Sequence, residues 1–376
     1  MKLFQFAVLP FLFTHWIGPA LLTGYLGFLV ILLSLRKNLI TKTVKINQIS
    51  FITFLIIIIF SLFNLSNIFN GIKLNLVFQG LYLYLNIFLM FILFYFLEPW
   101  NLKNLQIISK IIFYIAFFSI FVEFIAVNFF NISNEIIPSY KDIMSYKLPA
   151  AGGFYRPFGL TGQSSVNGGI LLFSFLLLNE LGLLKFRFYI LFILGSVCTV
   201  SGQAYLCAIF TLMILLLSNI KLFAVRWSFA FLFFIFFFYL LDLNLFQKIS
   251  FDYLIYVLIQ KANIGITLSH LNIWQIAFGT LGVENIPLHD GLSEVYLISS
   301  IRLNGVIFTI FLWSFIYFII RKTRHKYIIF SSIFLSSLHY PSIIYFEAQI
   351  PLMLLYTHSN LKKSVIKKTI YKKPAN

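Results

Sequence analysis

Runs of apolar residues, each too long for a strand and together too many for one soluble core, follow one another along most of this chain. A bilayer core takes about 20 residues of helix to cross, so such runs read as membrane spans. Composition agrees, with 60% of residues hydrophobic and 10% charged and a mean hydropathy of +0.94. That leaves too little polar surface to coat a globule of 376 residues. The strict alternation that marks an outer-membrane barrel is absent. The predicted fold class is an all-α integral membrane protein, a single polytopic domain over residues 1–376.

Set against the charges, the apolar runs give twelve predicted spans. They cover about 3 to 16, 19 to 35, 49 to 65, 76 to 97, 107 to 128, 165 to 184, 187 to 200, 203 to 219, 226 to 241, 295 to 320, 327 to 340 and 343 to 357. Three divisions rest on helix-breaking residues inside over-long runs, at Gly18-Pro19, Ser201-Gly202 and Pro341. Without them the total falls, so the range is 10–12. The N-terminal run continues past signal-peptide length without a small-residue cleavage site and is read as a span.

Net charge is +17. In a soluble chain this would point to nucleic acid, but here Lys and Arg gather in short loops between apolar runs, which is a topology signal. With both termini placed in the cytoplasm, 21 of the 28 basic residues fall inside and 6 outside, with Arg302 near the outer end of a span. The six are Lys73, Lys141, Lys147, Arg156, Lys248 and Lys261. Two longer loops, about 129–164 and 242–294, then share the outer side. Their glycines, aromatics and acidic residues mark them as functional rather than disordered. Phe251 to Leu258 and Leu268 to Gly279 read as interfacial helices.

The first loop ends in a glycine-rich stretch, Gly152-Gly153-Phe154-Tyr155-Arg156-Pro157-Phe158-Gly159, that runs through Asn167-Gly168-Gly169 into a span. Glycine density frees backbone N–H groups to approach an anion, Arg adds a bidentate fork, and a helix N-terminus follows. The combination suits a pyrophosphate. The same residues also fit a flexible loop whose Arg reaches lipid headgroups.

The second loop supplies His270, Glu284, His289, Asp290 and Glu294. Histidine titrates near neutrality, so His289 beside Asp290 suits a general base. Asp290, Glu294 and Arg302 fall at multiples of four and share one face of a helix. A solvated loop with one buried Arg–Glu pair accounts for the same residues. Residues 303 to 320 alone supply about 27 Å of helix, which leaves Arg302 at the surface. Within spans, Glu180 pairs with nearby Lys185 and Arg187, whereas Glu123 and Glu347 would serve a transporter as a proton path. Cys198 and Cys207 lie in apolar runs and read as packing residues. No HExxH, DxD, Walker or GxGxxG pattern occurs, so neither a metal nor a nucleotide cofactor is expected.

In this setting the chain resembles the O-antigen polymerase and ligase superfamily, the Wzy and WaaL group of multispanning glycosyl-transfer proteins. Arg156-Pro157-Phe158-Gly159 followed by Asn167-Gly168 is similar to the family's Arg-x-x-Gly stretch leading into Asn or Gly. Thr199-Val200-Ser201-Gly202-Gln203-Ala204 resembles its short outer turn, without the usual Arg. Leu268-Ser269-His270 with Trp274 and Ala277 resembles Ser-Arg-x-x-x-Trp, with His270 at the Arg position. His289-Asp290-Gly291 and Arg302-Leu303-Asn304-Gly305-Val306 resemble the His-containing segment that runs into a glycine-rich span start. The likeness covers about residues 150 to 320 and the general layout.

The resemblance implies a polymerase of the bacterial inner membrane that joins undecaprenyl-pyrophosphate-linked oligosaccharide repeat units at the periplasmic face, with no nucleotide sugar. The acceptor hydroxyl would attack the anomeric carbon and expel lipid pyrophosphate, which calls for positive charge at the leaving group and a base at the hydroxyl. The implied roles are Arg156 on the pyrophosphate, His289 or His270 as base, and Asp290 orienting it. Gly159, Asn167, Gly168, Arg302 and Glu294 complete the binding set. Membrane lipid and a chain-length regulator are the implied partners, and nucleic acid is not. A ligase of the same superfamily, or a lipid-linked sugar flippase, would share most of these features.

Overall fold

The computed structural model describes residues 100–130, 153–219, 271–279, 296–337 and 342–370, with a few more at positions 9, 12–13, 86–88, 90–91 and 94. Among these residues all regular structure is helical. The elements are α1 (Leu102–Phe130), α2 (Ser164–Glu180), α3 (Phe186–Cys198), α4 (Gly202–Asn219), α5 (Ile273–Phe278), α6 (Tyr296–Ile320), α7 (Lys326–Ser336) and α8 (Phe346–Ile370). A short 3-10 turn, Ser342–Ile344, stands between the last two. The predicted spans at 107 to 128, 165 to 184, 187 to 200, 203 to 219 and 295 to 320 fall on α1, α2, α3, α4 and α6, whereas α7 stops at Ser336, short of 340, and α8 starts at Phe346 and runs on to Ile370, past 357. Those at 19 to 35, 49 to 65 and 226 to 241 lie outside the described residues, as does the segment 251 to 258.

Apolar residues all round α2 make it the axis of the bundle, since a helix without a polar face must be enclosed. Every residue from Ser164 to Glu180 except Asn179 is buried, and α1, α3, α4, α7 and α8 all pack on it. Two glycines permit the close approaches. Gly168 faces Ala204 of α4, and Gly169 faces Ser342 of the 3-10 turn. On the next layer Phe175 stacks on Phe192 at 4.2 Å and Phe113 meets Phe188 edge-on at 5.4 Å.

The outward faces are also apolar. Helix α1 buries Leu105, Ile108, Ile112, Phe113, Ala116, Phe117 and Ile120 along one stripe, and exposes Phe118, Val122, Phe129 and Phe130. Phe186, Ile190, Ile193 and Val197 of α3 and Leu206, Ile209 and Leu216 of α4 are likewise exposed. Among the described residues only α1, with 29 residues, is long and apolar enough by itself to cross a membrane. Four shorter apolar helices, Phe186–Cys198, Gly202–Ser218, Asn304–Ile320 and Lys326–Ser336, accompany it.

Long-range contacts define two ends. At one, the Glu180 carboxylate accepts from the backbone N–H groups of Arg324 (2.7 Å) and His325 (3.3 Å), and Lys322 Nζ donates to Asn360 Oδ1 at 2.9 Å. The adjoining helix ends carry Lys103, Lys185, Arg187, Arg321, Lys322, Arg324 and Lys326. At the other end lie the residues before α2, the α3–α4 turn, the α7–α8 break, and α5 packed on α6. Its described cations are Arg156 and Arg302. Glu180, expected to pair with Lys185 and Arg187, ties the basic end together through backbone 144 residues away.

Candidate functional site

Residues 153–163 form a strap laid from α1 to the start of α2. Its course follows from three polar side chains in otherwise apolar helices. Asn128 near the end of α1 brackets Tyr155, accepting from its N–H at 2.7 Å and donating to its carbonyl at 3.0 Å. Glu123, one and a half turns earlier, takes the N–H groups of Phe158 (Oε1, 2.9 Å) and Gly159 (Oε2, 2.7 Å). Asn167 on the first turn of α2 completes the fold-back. Its Oδ1 accepts from Leu160 N–H (3.1 Å), Thr161 N–H (3.2 Å) and the Thr161 hydroxyl (3.0 Å), while Nδ2 donates to the Phe158 carbonyl at 2.6 Å.

Gly159 sits at φ +57 with the Asn167 amide against the place a Cβ would take. That left-handed geometry costs a glycine nothing, and a side chain there would collide. Phe158 and Pro157 are buried, and between them and Tyr155 the Arg156 side chain stands exposed. Among the described residues Arg156 makes no hydrogen bond or ion pair. Its guanidinium lies within electrostatic reach of the Tyr205 hydroxyl on α4, which donates to the Val197 carbonyl at 3.0 Å.

Beside Tyr205 the α3–α4 turn carries Val200 at φ +51. A β-branched residue in the left-handed region is strained, and such strain gathers at functional sites. Two buried amide oxygens at this end, Gln163 Oε1 and Gln203 Oε1, have no hydrogen-bond partner among the described residues. Gln203 Nε2 donates to the Ser336 carbonyl at 2.6 Å, tying the turn to α7.

On the far side α6 changes direction at Gly305, whose φ of +78 and ψ of +163 fall where only glycine is at ease. The Ala277 carbonyl of α5 occupies the space a Cβ would need. Helix α5 opens with a capping box between Asn272 and Gln275 and leaves Ile273 exposed and Trp274 71% exposed. Of the segment Leu268 to Gly279, expected as one interfacial helix, Ile273–Phe278 is helical and residues 268–270 lie outside the described residues.

Of the predicted site residues, Arg156, Gly159, Asn167 and Gly168 come together on and under the strap. Their parts differ from the expectation of open N–H groups awaiting an anion. The N–H groups of Phe158 and Gly159 are taken by Glu123, those of Leu160 and Thr161 by Asn167, and Gly168 serves helix contact. A carboxylate of the chain itself fills the anion position of the nest. Arg302, expected at the surface, is only 5% exposed, one turn before the Gly305 kink. Ser300 and Asn304 on the same helix are also buried, and Asn304 Nδ2 donates to Ser300 Oγ at 3.4 Å. His270, His289, Asp290 and Glu294 lie outside the described residues.

Glu123 and Asn128 were not foreseen as parts of this site. The signal for them was a carboxylate and an amide five residues apart near the end of an apolar helix, but their partners lie 27 to 36 residues away. Of the acids considered for a proton path, Glu123 is engaged with the strap and Glu347 is fully buried in the first turn of α8. Cys198 and Cys207 are buried and unlinked. Among the described residues no His, Cys, Asp and Glu cluster with the spacing of a metal site. No protein-family model, curated protein or solved structure matches the chain.

Proposed function

We propose that this chain is a polytopic inner-membrane glycosyltransferase that polymerises lipid-pyrophosphate-linked oligosaccharide units on the side of the membrane that carries Arg156. The observation that carries the reading is the strap. Its backbone is fixed on both sides of residue 156 while the guanidinium is left unengaged, which is what an incoming dianionic group requires.

The membrane setting is supported by α1, by the apolar outward faces of α3 and α4, and by seven basic residues gathered at the opposite end of the bundle. Placing that basic end in the cytoplasm follows the positive-inside rule and puts Arg156 outside. About twelve spans with both termini inside complete this topology. In the reaction, the acceptor hydroxyl attacks the anomeric carbon of the growing glycan, and lipid pyrophosphate leaves against Arg156 with Arg302 as the second cation at this end. His289, with His270 as the other choice, takes the hydroxyl proton, and Asp290 orients it. Glu294 belongs to the glycan-binding wall.

A deletion strain tests the reading. Loss of a polymerase leaves lipid A core bearing a single repeat unit. Absence of even that unit identifies a ligase, and build-up of units on the cytoplasmic face identifies a transporter.

A further inference from the structure

We infer that Glu123 and Asn128 are positioning residues that set where Arg156 stands, an inference that rests on the reading of Arg156 as the pyrophosphate contact. The backbone on each side of Arg156 is held by a different side chain of α1. Asn128 grips both the N–H and the carbonyl of Tyr155, and Glu123 grips the N–H groups of Phe158 and Gly159. Between these clamps, Pro157 has a ring-locked φ and confines residue 156 to extended backbone. The freedom left at Arg156 is in its side chain, which is exposed and makes no hydrogen bond or ion pair among the described residues.

A carboxylate toward the end of an apolar helix is costly to keep there, and two short hydrogen bonds from consecutive N–H groups are the compensation it receives. The same pair of bonds closes the strap to a backbone-bound anion. Recognition at this end is thereby left to the guanidinium. Glu123 and Asn128 act on the reaction through Arg156 and touch no substrate themselves.

The test uses the full chain in proteoliposomes, with a lipid-pyrophosphate-linked repeat unit as substrate and product counted per folded molecule. Glu123→Ala and Asn128→Ala should each slow turnover about tenfold to a hundredfold, the scale expected for a catalytic group moved by about 1 Å. Glu123→Gln keeps one acceptor oxygen and should fall between wild type and Glu123→Ala, which also supplies a milder variant for the folding comparison. Hydrogen exchange over 155–162 should quicken in Glu123→Ala. Glu180→Gln, which disturbs a similar carboxylate clamp at the basic end, should leave turnover per folded molecule unchanged.

In an Arg156→Lys background, Glu123→Ala should cost much less than it costs beside Arg156. An equal cost in both backgrounds, or normal turnover per folded molecule in Glu123→Ala and Asn128→Ala while Arg156→Ala is inactive, overturns the positioning role and leaves the site reading intact. Normal turnover in Arg156→Ala overturns both.

Discussion

Gly168 on α2 and Ala204 on α4 meet so closely that a Cβ built on the glycine would stand 2.5 Å from the alanine Cβ. The contact joins the strap side of the site to the start of α4, beside Tyr205 and the turn that carries Val200. Gly168→Ala should therefore destabilise the bundle by about 1–3 kcal/mol, the usual cost of forcing a methyl into a filled interior. Melting in detergent would register the loss, and adding Ala204→Gly should recover most of it. Failure of the second change to help would mean that Ala204 is not what Gly168 makes room for.

Asn167 gives a second expectation. Asn167→Asp keeps the oxygen that Thr161 uses but gives up the donor to the Phe158 carbonyl, and Asn167→Ala gives up both. The alanine variant leaves the buried Thr161 N–H without its acceptor, at about 1–3 kcal/mol. Activity should follow stability in the order wild type, Asp, Ala, as read by product length on a gel after correction for protein amount.

At the opposite end Glu180→Ala removes the acceptor of the Arg324 N–H and should lower stability by about 1–3 kcal/mol. The folded fraction should nevertheless work at the normal rate, because Glu180 lies across the bundle from Arg156. A slower rate per folded molecule would show that the two ends are coupled.

Gly305→Ala would place a side chain against the Ala277 carbonyl and force a backbone geometry that costs about 1–3 kcal/mol outside glycine. It should lift α5 from α6. In a variant that keeps Trp274 and carries Phe in place of Trp16, Trp100, Trp227 and Trp313, lipids brominated near the headgroup should quench its fluorescence, and should quench it less once Gly305→Ala is added. Equal quenching would separate the docking of α5 from the kink.

The helices were legible because their signals are local. A long apolar run, a break at Ser201-Gly202 and a polar stretch before Ser164 each tell on residues within a few positions. So α2, predicted over 165 to 184, runs Ser164–Glu180, and α4, predicted over 203 to 219, runs Gly202–Asn219. The break after Ser336, with Ser337 as its C-cap, falls earlier than the predicted 340, and the 3-10 turn Ser342–Ile344 packs against Gly169.

Arg156 was legible as a charge in a glycine-rich loop, but the reason it is held in place was not. The clamps come from α1, and nothing near Glu123 reveals that two amides 35 and 36 residues later will meet it. Arg302 erred in the other direction. Counting helix length from 303 onward put it at the surface, whereas it is buried one turn before the Gly305 kink, a break that helix counting does not reveal.

The most direct measurement is polymerisation by the purified chain in proteoliposomes, given the lipid-pyrophosphate-linked repeat unit and no nucleotide sugar. The wild type should give a ladder of lengthening glycans and Arg156→Ala none at equal folded protein. An intact ladder from Arg156→Ala, or movement of the unit across the bilayer without any chain growth by the wild type, would contradict the proposed function.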